Sequence, residues 1–401
     1  MAGTLRDDCV MENWQRVALG CGGAMFVAMG LGRFSYGAIM PALVQSGQLS
    51  IDQAGWVGGL NLAGFFAGAF ISEALRRVWP MASVLRGAVV LSLLGLFASS
   101  LPWGMVWLGF WRGLLGITAG LIMVQGLAMT LSVAPQTRRP VAAGLMFSGV
   151  GVGIFFSGVL VPLLLQYSML WAWVGIASVG VLGALAALLG WCSVRDVKPE
   201  PGPGPDHLTF GVGDLLRQGW VWLGLAMAYF LFSFGITPHT LYWVDFLVRD
   251  QQLGISSGGA HWAVVGIFAV FGPWAAAWLA RRTHTAWAVT LAFVVLGVGV
   301  ALPGLVTWVP ALWLSSMIFG AQPGVSTLKA ARSRDLGTHE AIPAIMRVMI
   351  MSSALGGAVG GVAIPALFAT TGRYDLMFLI GGGAMGIAAL CTLPRRISAE
   401  P

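Results

Sequence analysis

Long runs of apolar residues, separated by short polar segments, dominate the pattern of this chain. About twelve of these runs approach or exceed the roughly 20 residues that a helix needs to cross the hydrocarbon core of a bilayer. They lie near residues 17–45, 51–75, 83–101, 103–131, 141–166, 168–192, 219–247, 258–280, 285–302, 306–328, 341–369 and 374–393. The pattern therefore predicts an all-α membrane protein with twelve transmembrane helices.

The composition agrees with this prediction. Hydrophobic residues make up 57% of the 401-residue chain and charged residues only 9%, against about 25% charged residues in an ordinary soluble domain. The first apolar run is too long for the core of a signal peptide and follows the acidic residues Asp7, Asp8 and Glu12, so we expect it to remain as the first span. The chain is predicted to be a multi-pass membrane protein.

The basic residues predict the orientation, because they concentrate in cytoplasmic loops. If the N-terminus is inside, 18 of the 22 basic residues lie on the cytoplasmic side, with Lys329 in a loop after the tenth run, and only Arg249 and Arg373 lie outside. This predicts an inner (cell) membrane location of bacterial type with both termini in the cytoplasm. The basic residues are spread over alternate loops, which excludes a nucleic-acid partner.

The chain divides once, in the proline- and glycine-rich segment around residues 199–205, which can neither continue a helix nor lie in lipid. We predict an N-terminal six-helix bundle over residues 1–192, a cytoplasmic linker over 193–218 and a C-terminal bundle over 219–401. The two halves resemble each other: the arginine pair at 76–77 recurs at 281–282, and four small or proline residues recur 203 residues later. These are Gly32, Gly153, Gly158 and Pro162, matched by Gly235, Gly356, Gly361 and Pro365. Parallel repeats of this kind are typical of transporters.

The fourth run carries Arg112-x-x-x-Gly116-x-x-x-Gly120, and the first run carries a glycine-arginine-aromatic segment. That segment reads Gly30-Leu-Gly-Arg33-Phe-Ser-Tyr36 and is followed by Met40-Pro41. With two six-helix halves and a charged central loop, the chain resembles the major facilitator superfamily, and the first run resembles that of its YbfB/YjiJ-type branch. The resemblance implies two pseudo-symmetric bundles, transport by alternating access, and a central cavity lined by the first, fourth, seventh and tenth spans.

Two patterns of the resembled superfamily are altered in this chain. The segment after the second span keeps the charges Glu73, Arg76 and Arg77, the candidate conformational gate, but lacks the usual acid position and second glycine. In the fifth span, Val159 stands where the superfamily's antiporters have proline, which removes the best sequence argument for an antiporter.

Arg33 and Arg112 lie within apolar runs, and no carboxylate is predicted at the same depth, since Asp245 and the other acidic residues fall in tails, loops or helix ends. A charge at the bilayer centre costs about 3 kcal/mol even on lenient scales. We infer that the two guanidinium groups clamp a small organic anion, most simply a carboxylate. The alternatives are that Arg33 bonds backbone carbonyls at a helix break, and that Arg112 reaches the interface or locks neighbouring helices.

Other polar residues within the runs are weaker candidates for substrate contact, because helix packing satisfies such groups as readily as a ligand does. These candidates are Tyr36, Asn61, Gln125, Tyr229, Tyr242 and Gln322. If the first helix is straight, Tyr36 shares the face of Arg33. His239 is a candidate for proton coupling, with a packed neutral imidazole as the alternative.

The motifs of enzymes and ATP-driven pumps are absent from the sequence, which has lysine only at 198 and 329 and no GxxxxGK[ST] loop, HExxH or nucleophile elbow. We predict a secondary active or facilitative transporter that is not an enzyme and needs no cofactor or metal. Its expected partners are a small anionic substrate, the lipid bilayer and possible protons, with the monomer as the functional unit. The alternatives are proton-driven efflux of amphipathic drugs and a non-transporting membrane sensor.

Overall fold

The computed structural model describes residues 11–192, 194, 220–336 and 342–393. Within these residues the chain forms helices and no strand. Ten of the helices are long and apolar enough to cross a membrane. The predicted all-α membrane class is therefore confirmed.

The N-terminal part of the described chain consists of seven α-helices and one π-helical segment. These are α1 (Asn13–Met25), π1 (Phe26–Leu31), α2 (Ser35–Gln45), α3 (Ile51–Val78), α4 (Met81–Ala98), α5 (Gly104–Val133), α6 (Arg139–Leu165) and α7 (Met169–Gly190). Helix α3 begins with a capping box, in which the Ser50 hydroxyl accepts from the Gln53 N–H and the Gln53 side chain accepts from the Ser50 N–H.

The part from residue 220 onward has eight α-helices, a second π-helical segment and one 3₁₀ turn. These are α8 (Trp220–Gly235), α9 (Thr237–Asp245), π2 (Phe246–Asp250), α10 (Gly254–Arg282), α11 (Thr285–Ala301), the 3₁₀ turn Leu302–Gly304, α12 (Val309–Gly320), α13 (Gly324–Leu336), α14 (Ile342–Thr371) and α15 (Tyr374–Cys391). The predicted linker at 193–218 lies outside the described residues except for Val194.

Two of the predicted apolar runs are each divided between two shorter helices. The run near 219–247 is interrupted at Ile236, with Pro238 in the first turn of α9. The run near 306–328 is interrupted at residues 321–323, which include Pro323. Proline lacks a backbone N–H and crowds the preceding turn, so it favours such interruptions. The two runs are not among the ten helices that satisfy the length and apolarity of a membrane span.

The first run is also interrupted, although its hydropathy is continuous. After π1, the Gly32 N–H bonds the Val27 carbonyl at 2.7 Å and the Phe34 N–H bonds the Met29 carbonyl at 3.1 Å. A three-residue turn then leads into α2. The condition of a straight first helix is therefore not met, because the wider π spacing and the turn rotate the residues after Gly32 away from an ideal helix face.

Glycines allow the helices to approach one another closely. An added Cβ at Gly30 would lie 2.7 Å from the Gly153 Cα, where π1 meets α6, and one at Gly361 would lie 3.1 Å from the Gly59 Cα, where α14 meets α3. Larger side chains at these positions would separate the helices. The glycine-rich stretches of the sequence therefore serve close helix packing.

The described residues pack differently at the two ends of the molecule. At the end that carries residues 46–50 and 251–253, α2 packs on α9, and an added Cβ at Gly37 would lie 3.2 Å from the Thr240 carbonyl oxygen. We call this the closed end. Toward the opposite end, α1 packs on α5, α6 and α7, whereas α8 packs on α14 and α15. Residues of the two halves are thus sealed together mainly at the closed end and along the α3–α14 and α6–α10 contacts.

Candidate substrate site

Arg112 is almost completely buried, with 1% of its surface exposed. Its Nη1 donates to the Gly32 carbonyl at 2.5 Å and its Nη2 donates to the Arg33 carbonyl at 2.9 Å. Its guanidinium also lies 4.7 Å from the centre of the Tyr36 ring. Arg112 therefore ties α5 to the turn that interrupts the first helix, as one of the sequence-based alternatives expected.

Arg33 is only half-buried, unlike Arg112. Its guanidinium carbon lies 4.9 Å from the ring centre of Phe65 and 5.5 Å from that of Phe34, and its Nε is enclosed without a hydrogen-bond partner. Among the described residues, no carboxylate lies within ion-pairing distance of this group. The described surroundings of the Arg33 guanidinium are therefore aromatic rings.

Three further candidates, Tyr36, Asn61 and Gln125, lie in the N-terminal part, and the side chain of each donates a hydrogen bond to a main-chain carbonyl. The Tyr36 hydroxyl donates to the Ala54 carbonyl at 2.7 Å. The Asn61 Nδ2 donates to the Arg112 carbonyl at 2.8 Å, while its Oδ1 is buried without a partner. Tyr36 and Asn61 thus gather around Arg112.

Gln125 lies more than three helical turns beyond Arg112 along α5 and belongs to a different contact. Its Nε2 donates to the Ser72 carbonyl at 3.1 Å, and its Oε1 is buried without a partner. In this conformation the amide joins α5 to α3 rather than to the Arg112 group.

His239 lies in a fully enclosed aromatic group of the C-terminal part. Its Nε2 is 2.8 Å from the Ser315 hydroxyl, and its ring stacks on Trp243 at 4.6 Å between centroids. The rings of Phe319 and Phe378 lie 5.0 and 4.8 Å away. His239 is thus a packed imidazole in this conformation, and its proton-coupling role stays a prediction.

Tyr229 and Tyr242 are also enclosed, and neither hydroxyl has a hydrogen-bond partner among the described residues. The Tyr242 ring packs 5.2 Å from that of Phe368, and the Tyr229 ring packs 5.7 Å from that of Phe293. Gln322 is half-buried in the turn between α12 and α13. Among the described contacts, none brings Tyr229 or Gln322 to the Arg33 and Arg112 pair, whereas the Tyr242 hydroxyl lies against Gly55, next to the Ala54 carbonyl that binds Tyr36.

Lys329 was predicted in a cytoplasmic loop, and this is wrong. It lies in α13 with 6% of its surface exposed, and its Nζ donates to the Ser353 hydroxyl at 2.6 Å and lies 4.8 Å from the centre of the Tyr229 ring. The polar sequence around it suggested a loop, yet Val325 and Leu328 are buried on the same helix. Their spacing of three residues was the available signal for a continued helix.

Asp245 was predicted at the outer surface and is instead fully enclosed. Its Oδ2 accepts from the Tyr374 hydroxyl at 2.5 Å and lies 3.4 Å from the Arg249 Nη1. Its apolar flanks, Trp243-Val-Asp245-Phe246-Leu, were the signal in the sequence for a buried position.

The candidate gate residues lie at the end of α3. Glu73 and Arg76 form an ion pair of 2.9 Å whose side chains are largely exposed, and Arg77 is exposed beside them. Among the described residues, no group of His, Cys, Asp and Glu side chains could hold a metal ion.

The geometry brings two cations of the N-terminal part together around one interrupted helix. One guanidinium is committed to main-chain carbonyls, and the other lies half-buried between aromatic rings with no anionic partner in the described chain. Such an arrangement can hold an anion by charge and an attached ring by stacking.

Curated relatives are transporters. The chain is similar to the gentisate transporter of Corynebacterium glutamicum, with 24% identity over 95% of this chain and 89% of that protein. It is also similar to the 3-(3-hydroxy-phenyl)propionate transporter of Escherichia coli strain K12, with 28% identity over 34% of this chain and 35% of that protein.

Solved structures of transporters share the fold. A peptide transporter POT in complex with sulfate matches with a TM-score of 0.68 at 16% identity, covering 96% of this chain and 97% of that one. A POT family transporter in complex with 5-aminolevulinic acid matches with a TM-score of 0.67 at 15% identity, covering 92% of this chain and 94% of that one.

The family described as uncharacterised MFS-type transporter YbfB matches this chain over residues 25–393. The match begins at the end of α1 and contains π1, the turn after it, the two arginines and every helix from α2 to α15. It agrees with the resemblance seen in the first and fourth runs. The chain therefore belongs to the YbfB-type family of major facilitator transporters, and it is a membrane transporter rather than an enzyme.

Proposed function

We propose that this transporter carries a small aromatic carboxylate, with Arg33 as the residue that binds the carboxylate group. The observation that carries the proposal is the Arg33 guanidinium itself, half-buried between Phe34 and Phe65 with an enclosed Nε that bonds nothing in the described chain. A permanently charged group in this position is stabilised by an anionic ligand that offers two oxygens to its planar fork.

The surroundings of Arg33 favour an aromatic anion over a purely aliphatic one. The Phe65 and Phe34 rings already lie against the guanidinium, and the Tyr36 ring lies 4.7 Å from the neighbouring Arg112 guanidinium. A ligand ring can stack on these faces while its carboxylate meets Arg33. The two curated relatives are named for gentisate and hydroxyphenylpropionate, which are both hydroxylated aromatic carboxylates, and this supports the same substrate class here.

Arg112 has a different role from Arg33 in this proposal, because it positions Arg33. It holds the carbonyls of Gly32 and Arg33 and so fixes the turn from which the Arg33 side chain projects. It also adds positive charge close to Arg33. Tyr36 and Asn61 help to hold Arg112 in place. The Tyr36 ring lies against its guanidinium, and the Asn61 side chain donates to its main-chain carbonyl. Gln125, Tyr229, Tyr242 and Gln322 stay candidates for substrate contact in other conformations.

We further propose twelve transmembrane spans in two six-helix bundles, over residues 1–192 and 219–401 with a linker at 193–218. The two interrupted runs, α8 with α9 and α12 with α13, then each form one span. The interruption of the first run at residues 32–34 recurs at Ile236, which lies 203 residues after Arg33, and this is the relation expected for parallel repeats. Non-helical backbone at membrane depth is tolerated where it lines a cavity or is buried in protein.

Alternating access follows from this arrangement. The closed end faces away from the cytoplasm if the arginine-rich loops and both termini lie inside an inner membrane, so the packing at that end corresponds to a transporter sealed on its outer side. The Glu73–Arg76 pair with Arg77 then lies at the cytoplasmic end of α3 as a gate. The protein functions as a monomer in the bilayer, and either proton coupling or the membrane potential drives net movement.

Reconstituted vesicles test the proposed function. Labelled gentisate should exchange against unlabelled gentisate in vesicles with the wild-type protein, because exchange requires only binding and alternation. Removing one charge-assisted hydrogen-bond partner costs about 1.5–3 kcal/mol, so Arg33→Gln should weaken the apparent affinity by about 10–100-fold. Arg33→Lys should restore only part of it, since lysine lacks the planar fork.

The matched control is Arg138→Gln, which removes an equal charge from an exposed position. It should leave gentisate exchange unchanged. Equal exchange by the wild type and Arg33→Gln would place anion binding elsewhere. Wild-type vesicles that move a cationic dye in response to a pH gradient, and no aromatic carboxylate, would support drug efflux in place of the proposed function.

A further inference from the structure

Asp245 is a carboxylate enclosed at the closed end of the molecule. It is the last residue of α9, and its side chain has no exposed surface. It has one hydroxyl donor, Tyr374 at 2.5 Å, and one cation, Arg249 at 3.4 Å, whose side chain is 30% exposed. An ionised carboxylate removed from water needs more complete pairing than this.

The other titratable groups near Asp245 give it little further compensation. α2 brings Tyr36, which interacts electrostatically with Asp245, and α3 brings Asp52, which acts on Tyr242. α10 brings His261, whose Nδ1 lies 2.9 Å from the Ser316 hydroxyl and whose ring stacks on Trp313. The remaining charged groups lie on π2 and α15 and are Arg249, Asp250, Arg373 and Asp375. Arg373 is paired with Asp375 at 2.5 Å, which leaves Arg249 as the one cation paired with Asp245 among the described residues.

A groove at the surface of the closed end reaches toward this carboxylate. Its volume is about 560 Å³, and its lining includes Phe246, Asp250, Arg373, Tyr374 and Asp375. Tyr374 lines the groove and also donates its hydroxyl to Asp245. One tyrosine therefore separates the enclosed carboxylate from a space that can hold water.

On its other side, Asp245 adjoins the seal between the two halves. Tyr242 lies one turn before it on α9, and the Tyr242 hydroxyl, which has no partner among the described residues, lies against Gly55 of α3. The Tyr36 hydroxyl donates to the Ala54 carbonyl, next to Gly55, and the Tyr36 ring lies on the Arg112 guanidinium. Tyr242 and Tyr36 therefore approach the same turn of α3, without a hydrogen bond between them in this conformation.

We propose that Asp245 is the proton-binding group of anion transport, protonated from the groove through Tyr374, and that its proton crosses the membrane with the anion. This rests on the proposed function. A water molecule or hydronium ion in the groove supplies the proton, which converts the carboxylate to a neutral acid. The neutral acid suits the enclosed position, so proton uptake favours the sealed state of the closed end. In this conformation the Tyr36 hydroxyl donates to the Ala54 carbonyl and the Tyr242 hydroxyl bonds nothing in the described chain, so release of the proton on the inner side requires movement of α9 against α2 and α3.

The pH-gradient response of vesicles tests this role. One unit of pH gradient should drive about tenfold accumulation of gentisate by a carrier that moves one proton with one monovalent anion. In Asp245→Asn this accumulation should fall to about onefold, while gentisate exchange stays within about twofold of the wild type, because exchange moves no net proton. Asp250→Asn is the matched control, since it neutralises an exposed carboxylate of the same groove and should retain both activities. Normal accumulation by Asp245→Asn would overturn the proposal.

Infrared spectroscopy of the purified protein separates this inference from the proposed function. Lowering the pH should produce the carbonyl band of a protonated carboxylic acid, and this band should be lost in Asp245→Asn and kept in Asp250→Asn. If wild-type vesicles exchange no gentisate, the proposed function fails, and the infrared result alone decides the role of Asp245. A band that persists in Asp245→Asn overturns it. If Asp245→Asn does not fold, Tyr374→Phe should shift the pH at which the band appears, and an unchanged pH would contradict the proposal.

Discussion

The same interruption of a helix is stabilised in two different ways in the two parts of the molecule. In the N-terminal part, the Arg112 guanidinium binds the carbonyls of Gly32 and Arg33. In the C-terminal part, the hydroxyls of Thr237 and Thr240 bond the carbonyls of Ser233 and Ile236, each at 3.0 Å. The interruption in the N-terminal part is therefore stabilised by a buried cation, and the one in the C-terminal part by neutral hydroxyl groups.

The residues at corresponding positions of the two parts also differ in charge. Ile236 lies 203 residues after Arg33, and Ser316 lies 204 residues after Arg112. Ser316 accepts from the Trp243 indole at 3.1 Å and lies 2.9 Å from the His261 Nδ1. Both positive charges of the proposed site thus belong to one half, while the matching positions of the other half are neutral. If the anion binds as we propose, its charge is bound by the N-terminal part, and the corresponding positions of the C-terminal part contribute packing without charge.

The strongest test removes the cation from the N-terminal turn. In Arg112→Ala, the Gly32 and Arg33 carbonyls lose their donors in a buried place, and each such loss costs about 1–3 kcal/mol. We expect a stability loss of about 3–5 kcal/mol and no gentisate exchange. Ser316→Ala at the corresponding position removes a partner from the Trp243 N–H and the His261 Nδ1, which also costs about 1–3 kcal/mol each, but it should retain exchange. Thermal unfolding in detergent and vesicle exchange measure both.

Arg112→Lys tests whether the loss of stability in Arg112→Ala comes from the two hydrogen bonds that the guanidinium makes to the carbonyls. Lysine keeps the charge but cannot bind both carbonyls in the planar geometry of guanidinium, so its stability should lie between those of the wild type and Arg112→Ala. If Ser316→Ala abolished gentisate exchange as Arg112→Ala does, the two parts would not differ in the way that we infer.

The sequence predicted the apolar runs and the two arginines within them, but not the groups that Arg112 binds. The apolar runs and the two membrane-embedded arginines were visible as residue types against a hydrophobic background. The partners of Arg112 were not, because main-chain carbonyls exposed by a π-helical turn correspond to no residue type. Lys329 was misplaced because local polarity suggested a loop, and Asp245 because it lies near the end of its apolar run. Packing by α8, α14 and α15 encloses them.

A second test concerns His239, which corresponds to Tyr36 in the other half, 203 residues earlier. His239→Gln keeps a polar group near the Ser315 hydroxyl but loses the stacking on Trp243, so we expect a stability loss of about 1–2 kcal/mol. Gentisate exchange and its pH dependence should not change. A displaced pH profile would show that His239 takes part in proton movement in addition to Asp245 and is more than a packed imidazole.

A third test removes the neutral stabilisation of the C-terminal interruption. Thr240→Val keeps the shape of the side chain but removes the hydroxyl that bonds the Ile236 carbonyl. The Thr240 N–H also bonds this carbonyl at 3.0 Å, so the carbonyl keeps a donor. The stability loss measured by thermal unfolding should therefore be about 0.5–1 kcal/mol, well below that of Arg112→Ala. A larger loss would mean that the threonine hydroxyls are as essential as the guanidinium.

The smallest expected effect on stability is at the gate candidate, Glu73. Its ion pair with Arg76 is largely exposed, and exposed pairs contribute about 0–1 kcal/mol, so Glu73→Gln should unfold at nearly the wild-type temperature. A gate acts on the rate of alternation rather than on anion binding, so the rate of exchange should fall while the gentisate concentration for half-maximal exchange stays constant. Arg33→Gln should give the opposite result, a weakened affinity. If Glu73→Gln and Arg33→Gln changed the same quantity, either the rate of exchange or the concentration for half-maximal exchange, the pair at the end of α3 and the arginines would act on the same step. Binding and alternation would then not be separable in this protein.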